Sequence, residues 1–380
     1  QGVDVMAFDD IYPEGHQGGV CIIMNGHRVA TNGDIRLEAT PGQWQPVPKQ
    51  LDRKLGDNSI TATLCYPDSS RHLTGFNPMI YPDLHLIYTV NVESKGKNIE
   101  VTVDLDRPIP QEFIGKVGFN LEFFPGSLFG KPWIMDGQSG IFPQQPNSPL
   151  MTTQPNYLHT GNYHDGKKSL ADMDKLIGKG YSPIVADDII SEPYAKGTKF
   201  TSRPDDPYNK VTIESLSGDL QLFDGRMNLN NGCFVLRSNI KPGVTKGAVK
   251  WIITPNVVAD WMYQPVIQTS QIGYHPTQDK EAVIEMDIRD NRKETAQIIR
   301  IDADGEKVVK NVTPANWGKF LRYNYLKVNF TDVKEPGLYK IKYNTSVSPI
   351  FRIDNDVYAR GVWQPVLEYF LPVQMCHMRV

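Results

Sequence analysis

The chain has 380 residues, of which 40% are hydrophobic and 22% are charged, and this is the balance of a globular protein with two or three domains. Its formal net charge of −3 offers no electrostatic basis for binding nucleic acid or an anionic membrane. No apolar run approaches the roughly 20 residues that a spanning helix needs, so we predict no membrane span. The 31 glycines and 28 prolines favour short strands joined by turns.

Four cysteines are scattered along the chain without a Cys-x-x-Cys pair, which argues against a zinc site and a disulfide-rich scaffold. We expect them to be core residues with at most one disulfide among them: Cys21, Cys65, Cys233 and Cys376. The sequence begins at Gln1 without an initiator Met, which is typical of a mature or trimmed chain; removal of a signal peptide would agree with this, but no residue of the chain shows one.

Residues 1–262 are predicted to form one large β-sandwich. Near its start, Asn25-Gly26 lies between apolar residues, which is a strong hairpin signal because both turn positions need positive φ. Asn32-Gly33 follows closely and is predicted to form a second turn.

Apolar and polar residues alternate over 86–92 and again over 99–105, which predicts a hairpin. Further strands are predicted over 211–216 and over 248–255, the latter closing the sandwich. Only residues 170–177 have the pattern of a short helix. The number of strands exceeds that of a seven-stranded sandwich and favours a larger double sheet.

Residues 264–354 are predicted to form an immunoglobulin-like sandwich, because short strands recur at 8–12-residue spacing over about 90 residues. Residues 356–380 change to helical spacing of apolar side chains, at Trp363, Val366, Leu367 and Phe370. Such a face is normally buried, so we predict that Trp363 is a core residue and that this helix begins a further domain. The predicted fold class is all-β, with two sandwiches and a short C-terminal helix.

Three short motifs occur in order within this second region: Gln271-Ile272-Gly273-Tyr274-His275-Pro276, Lys334-Glu335-Pro336-Gly337-Leu338-Tyr339 and Asp354-Asn355-Asp356-Val357-Tyr358. Their order and spacing resemble the immunoglobulin-like module that precedes many catalytic domains of glycoside hydrolase family 9, although Ser270 stands where that family usually has Asn. The run from Tyr369 to Cys376 resembles, in altered form, the first helix of the family's (α/α) barrel. The alteration indicates a divergent subgroup of the kind found in gut Bacteroidetes.

The resemblance implies the N-terminal region of a secreted, inverting, cellulase-like enzyme that cleaves β-linked plant polysaccharide. In such enzymes one carboxylate activates water while a carboxylic acid protonates the leaving oxygen. Both groups belong to the barrel, so no catalytic residue is assigned and this chain alone is predicted to be inactive. Its expected partners are a polysaccharide or oligosaccharide and its own catalytic domain. Its expected location is the periplasm, the outer-membrane surface or the extracellular space.

Residues 1–262 contain two distinctive runs, Phe119-Asn120-Leu121-Glu122-Phe123-Phe124-Pro125-Gly126 and Gly130-Lys131-Pro132-Trp133-Ile134-Met135-Asp136-Gly137. On these runs the region resembles the long N-terminal regions of some Bacteroidetes hydrolases, and the sandwich is similar to that of the galactose-mutarotase superfamily. The alternative function is therefore a self-sufficient mutarotase, epimerase or lyase-like enzyme. Its acid and base groups would be drawn from Glu122, Asp136, His159, His164, Asp187, Asp188 and Glu192. Turn, rim or loop positions are the competing interpretation for all of them.

Aromatic side chains indicate sugar binding more strongly, because pyranose rings pack their C–H faces on flat aromatic surfaces. The candidate carbohydrate-binding residues lie in turn-like or polar contexts: Trp44, Trp133, Tyr157, Tyr163 and Tyr181. Core or inter-domain packing is the competing interpretation for each. We expect Trp251 and Trp261 to be packing residues.

No cofactor is expected, and no metal ligand is assigned. Calcium remains an alternative, because large β-sandwiches often bind it through carboxylates and carbonyls. Asp187-Asp188 and Asp205-Asp206 are the acidic pairs that would supply the carboxylates.

Overall fold

A computed structural model of the chain describes residues 2–8, 19–38, 40–41, 48–68, 84–147, 191–227, 232–359 and 361–377. Strands dominate these residues, and the one α-helix among them lies near the C-terminus, so the predicted all-β fold class is confirmed. The chain divides into two compact units, residues 1–261 and residues 262–380.

The first unit contains two antiparallel sheets that share one hydrophobic core. Seven strands form one sheet, in the order β1 (Val3–Ala7), β2 (Val20–Met24), β3 (His27–Leu37), β8 (Val117–Phe123), β15 (Phe234–Asn239), β14 (Leu220–Asp224) and β11 (Ala195–Gly197). Nine strands form the other, in the order β10 (Gln138–Ile141), β9 (Pro132–Met135), β12 (Lys199–Ser202), β13 (Val211–Ser215), β16 (Val249–Pro255), β7 (Asn98–Leu105), β6 (Leu86–Lys95), β5 (Ser59–Tyr66) and β4 (Lys49–Leu55).

The two Asn-Gly signals have different outcomes. Asn25 and Gly26 have φ of 52° and 78° and form the predicted turn between β2 and β3. The second predicted turn is wrong, because Asn32 and Gly33 lie inside β3. The register against β8 shifts after Thr31, and the positive φ of Asn32 is used in a β-bulge rather than in a turn.

The core lies between the two sheets because apolar residues alternate along the strands. The ring of Phe119 on β8 meets the ring of Trp251 on β16 edge to face, at a centroid distance of 5.0 Å. Trp251 is fully buried, as predicted, and its indole N–H donates to Ser238 Oγ at 3.0 Å. The predicted hairpin of β6 and β7 is confirmed. Strand β16 lies between β13 and β7, in the middle of its sheet rather than at its edge.

Strand β4 forms one edge of the nine-stranded sheet, and all but one of its seven residues are exposed. Its sequence, Lys-Gln-Leu-Asp-Arg-Lys-Leu, gives no apolar alternation, so sequence analysis did not find it. Arg53 on this strand donates through Nε to the carbonyl oxygen of Ala7 on β1 at 2.9 Å. That bond ties the edge strands of the two sheets together.

The second unit also contains two antiparallel sheets around a separate core, which agrees with the predicted immunoglobulin-like sandwich. One sheet has the order β17 (Val266–Gln268), β18 (Glu281–Asp287), β22 (Tyr323–Asn329) and β21 (Ala315–Phe320). The other has the order β20 (Gly305–Val312), β19 (Ala296–Asp302), β23 (Gly337–Tyr343) and β24 (Ser346–Val347), with β25 (Phe351–Ile353) also paired to β23.

The Gly273-Tyr274 motif has a structural explanation. Gly273 has φ of 104°, and a Cβ atom there would lie 2.3 Å from the carbonyl oxygen of Arg352. The Tyr274 ring packs edge-on against Phe330 and Phe351, at centroid distances of 5.1 and 5.3 Å. Its hydroxyl accepts from the backbone N–H of Ser270 and donates to a backbone carbonyl of β18. The motif therefore fixes the loop that leads into the sandwich.

Helix α1 (Gln364–His377) confirms the predicted C-terminal helix. No helix among the described residues is both long enough and apolar enough to cross a membrane. The prediction that Trp363 is a core residue is wrong, because 51% of its surface is exposed. Three further apolar side chains on the helix are more than half exposed, namely Val366, Leu367 and Phe370, and with Trp363 they form what we call the apolar helix surface.

Candidate functional site

Within the described residues, a group of buried and half-buried charged and polar side chains lies on β3, β8 and β15 of the first unit and directly after β3. We call it the polar cluster, and it consists of Asp34, Arg36, Glu38, Asn120, Glu122 and Arg237. Strand register places Asp34 opposite Asn120 and Asn120 opposite Arg237. These residues alternate along their strands with apolar core residues, and the cluster is therefore built into the sheet.

Arg237 is 1% exposed and is saturated with hydrogen bonds. Its Nη1 donates to Glu38 Oε1 at 3.3 Å and to Asn120 Oδ1 at 3.1 Å. Its Nη2 donates to the backbone carbonyls of Glu38 and Lys116, and its Nε donates to Asn239. Five donors with matched acceptors are what a buried guanidinium needs, since an unpaired buried charge is costly.

The carboxyl group of Asp34 has a pKa shifted by burial. Burial raises its pKa to about 6, while Arg36, Tyr88 and the backbone N–H of Ile35 lower it in part. The Tyr88 hydroxyl donates to Asp34 Oδ1 at 2.8 Å. Arg36 Nη1 lies 3.7 Å from Asp34 Oδ2, too far for a hydrogen bond, which explains why burial outweighs its charge.

Two further carboxylates complete the cluster. Burial also raises the pKa of Glu38, against the opposing charge of Arg237. Glu122 Oε2 accepts from Asn32 Nδ2 at 2.7 Å. A buried carboxyl with a raised pKa, such as that of Asp34, can carry acid–base chemistry, although structural ion networks also shift pKa values. Sequence analysis found only Glu122 here, because its partners come from three separate strands.

Two other predicted acid–base candidates, Asp136 and Glu192, do not join the cluster. Asp136 is exposed, and its carboxylate accepts hydrogen bonds from the backbone N–H groups of Thr198 and Lys199 at 2.8 and 3.0 Å. It is therefore a turn residue, as the competing interpretation expected. Glu192 is exposed. The remaining candidates lie outside the described residues: His159, His164, Asp187 and Asp188.

The acidic pair Asp205-Asp206 makes protein contacts. Asp206 accepts from Arg203, from the backbone N–H of Tyr208 and from Asn209. Within the described part of the chain, no three metal-binding side chains converge on one point. The structure therefore supplies no observation in favour of calcium at this pair.

Trp133 does not present the exposed ring that its turn-like context suggested. It lies in β9, is 6% exposed and belongs to the core of the first unit. A Cβ atom on Gly140 of the neighbouring strand would lie 2.4 Å from the indole ring, so the tryptophan packs over a glycine. Its predicted role as a sugar platform therefore loses its basis. The other candidates lie outside the described residues: Trp44, Tyr157, Tyr163 and Tyr181.

Comparison with known proteins gives one family assignment, and it concerns the second unit. Residues 262–348 match the family model of the cellulase N-terminal immunoglobulin-like domain, which supports the resemblance predicted for this part of the chain. A search of curated proteins gives no match.

Among solved structures, the Slr1438 protein from Synechocystis sp. PCC 6803 is similar at 9% identity and a TM-score of 0.29. That alignment covers 62% of this chain and 87% of the other. A likeness this distant carries no inference.

Proposed function

We propose that the chain is the non-catalytic N-terminal region of a secreted glycoside hydrolase that cleaves β-linked plant polysaccharide. The observation that carries the proposal is the match of residues 262–348 to the cellulase N-terminal immunoglobulin-like domain. In this proposal the two sandwiches brace and position a catalytic domain of the family 9 type, which works by inversion and belongs to a divergent Bacteroidetes subgroup.

The apolar helix surface gives the proposal a second support. Its four side chains are between 51% and 62% exposed, although a solvated helix normally turns such residues inward. In the proposal these side chains pack against the catalytic domain. Because polymeric glycans do not enter cells intact, the protein acts in the periplasm, at the outer-membrane surface or outside the cell.

The test compares the 380-residue chain with a longer version that extends through the following reading frame. Reducing-sugar release is measured on β-glucan, xyloglucan and xylan. We expect hydrolysis only with the longer protein, and the preferred polymer then identifies the substrate. Hydrolysis by the 380-residue chain would contradict the accessory role and would direct attention to the polar cluster.

A second candidate function is favoured by the polar cluster itself. Three carboxylates and two guanidinium groups lie close together, and the pKa of Asp34 is raised to about 6 by burial. An acid–base enzyme acting on a free sugar would need such groups. Faster interconversion of glucose or galactose anomers in polarimetry, lost in Asp34→Asn but retained in Asp136→Asn, would favour this candidate. Equal rates with and without the protein would eliminate it.

A further inference from the structure

A continuous series of aromatic rings lies on the four-stranded sheet of the second unit. We call it the aromatic row, and it consists of Tyr263, Tyr323, Tyr325 and Trp317. Successive ring centroids are 5.2, 6.1 and 5.6 Å apart in that order. The rings are not coplanar: the Tyr323–Tyr325 and Trp317–Tyr325 pairs meet edge to face at interplanar angles of 68° and 87°, and the Tyr263 ring is tilted by 53° from that of Tyr323.

Strand alternation places the row on the solvent side of the sheet. On β22, buried and half-buried side chains alternate. Asn324 and Leu326 face the core, and Tyr323 and Tyr325 lie half-buried on the opposite face. A β-bulge on β21 between Asn316 and Gly318 makes Trp317 the additional residue, and 56% of its surface is exposed. The bulge therefore turns an indole ring toward solvent at the end of the row.

A carboxylate on the neighbouring strand holds two of the rings. Glu285 of β18 accepts from the Tyr263 hydroxyl through Oε1 and from the Tyr325 hydroxyl through Oε2, both at 3.0 Å. Burial raises the pKa of both tyrosines, and their bonds to Glu285 raise it further, so the hydroxyls remain protonated at neutral pH. Each carboxylate oxygen has two lone pairs, so Glu285 retains acceptor capacity for another hydroxyl.

Charged side chains border the row. Asp287 lies opposite Tyr323 in the register and holds the Arg289 side chain, which is about half exposed. Lys319 on β21 is exposed. The surface thus combines flat apolar rings with fixed acceptors and donors, which is the combination that a hydroxyl-rich ring compound requires.

We propose that the aromatic row binds a short stretch of β-linked glycan chain, with one sugar ring stacked on the exposed Trp317 indole and neighbouring sugar hydroxyls bonded to Glu285. The class of glycan rests on the proposed function of the chain. Glu285, Arg289 and Lys319 place acceptors and donors beside the rings, whereas the core of a protein interface is depleted of charged residues. In its bound state the row holds polysaccharide beside the hydrolase.

The test is glycan binding by the intact 380-residue chain. Cello-, xylogluco- and xylo-oligosaccharides are titrated in calorimetry, with tryptophan fluorescence as a second readout. We expect Trp317→Ala to weaken binding about tenfold, since an aromatic contact contributes up to about that factor. Tyr263→Phe keeps the ring but removes one bond to Glu285, and we expect a smaller loss. Trp363→Ala is the matched control, because Trp363 is equally exposed but lies outside the row.

Three results would overturn the proposal: no oligosaccharide binds the wild-type chain, Trp317→Ala binds as wild type, or Trp363→Ala weakens binding to the same extent. Circular dichroism of each variant separates lost binding from lost folding. If the longer protein hydrolyses β-glucan while the 380-residue chain binds no glycan, the inference about the row fails and the proposed function stands. Lower thermal stability of Trp317→Ala only in the longer protein, with glycan binding unchanged, assigns the row to packing against protein.

Discussion

Arginine–carboxylate pairs occur in both units of the chain, but at different depths. In the first unit, Arg237 and Glu38 are 1% and 3% exposed in their side chains, and burial dominates the pKa of the acid. In the second unit, Asp287 and Asp290 are also buried, but their partners Arg289 and Arg292 are about half exposed. Their hydrogen bonds hold the pKa values of Asp287 and Asp290 below the usual range.

The difference shows that a guanidinium–carboxylate pair can accompany either a raised or a lowered pKa of the carboxyl group. A pair taken out of water must replace its hydration with protein hydrogen bonds, and the carboxyl is then protonated more easily. At Asp287 and Asp290 the arginine stays half in water and donates two side-chain hydrogen bonds to the buried acid, and the carboxylate form is favoured. The first unit should therefore depend on complete pairing, whereas the second should tolerate loss of an arginine.

The largest expected effect tests this contrast directly. Arg237→Met should lower the free energy of unfolding of the first unit by about 3–5 kcal/mol, because Glu38 and Asn120 lose their buried partner. Arg289→Met should cause a much smaller loss in the second unit, since water replaces the exposed guanidinium. Urea denaturation with pulsed hydrogen exchange follows each unit separately. Equal losses would show that depth does not determine the cost.

The next effect concerns pH. The pKa of Asp34 is about 6 in the folded protein, above its ordinary value of 3.8, so the folded state binds the proton more tightly. Its contribution to stability is complete below pH 3.8 and is lost as pH rises through 6. The loss is up to about 3 kcal/mol, and it should be absent in Asp34→Asn. Asp287 has the opposite sign, because its pKa is lowered and its contribution is lost as pH falls below 3.8.

Urea denaturation between pH 3 and pH 7 measures both trends in the same sample. In the wild type, the first unit should become less stable as pH rises, and the second unit should become less stable as pH falls. A first unit whose stability has the same pH dependence in wild type and Asp34→Asn would refute the assignment to this carboxyl.

The smallest expected effect concerns the backbone conformation of the second unit. Its stability should depend on a glycine at position 273, whereas the stability of the first unit depends on buried charges. Gly273→Ala should destabilise it by about 2 kcal/mol more than Gly305→Ala, because overpacking adds to the backbone strain. Both glycines have strongly positive φ, but only at Gly273 would the new Cβ meet a neighbouring carbonyl. The difference in melting temperature between the two variants measures the cost of the contact between the new Cβ atom and the Arg352 carbonyl. Similar melting temperatures would mean that the loop can move away from the Arg352 carbonyl.

The sequence predicted structure wherever local chemistry decides it. Asn25-Gly26 and the alternating strands β6 and β7 are formed as expected. The same local signal failed at Asn32-Gly33, because pairing with β8 extends β3 through the glycine and turns the extra residue into a bulge. Strand β4 was missed because an exposed edge strand has no buried face to give it a pattern.

The functional surfaces were harder to predict, because strand register assembles them. Arg237 meets Glu38 across 199 positions of sequence. Tyr263 and Tyr323 also lie far apart in sequence, though less so, and no local motif marks Trp317 as the additional residue of a bulge. At Trp133 a local signal was misleading. The preceding glycine and proline predicted a loop with an exposed ring, but the strand β9 begins at Pro132 and buries Trp133.

The charged edge strand β4 has a consequence for how the protein behaves at high concentration. An open sheet edge can pair with the edge of another molecule and so begin aggregation. Lys49, Asp52, Arg53 and Lys54 carry charges along β4, and joining two such edges would strip water from them. The opposite edge, β10, is only four residues long. The nine-stranded sheet is therefore protected at both ends, and a protein crowded among its own copies can remain dispersed.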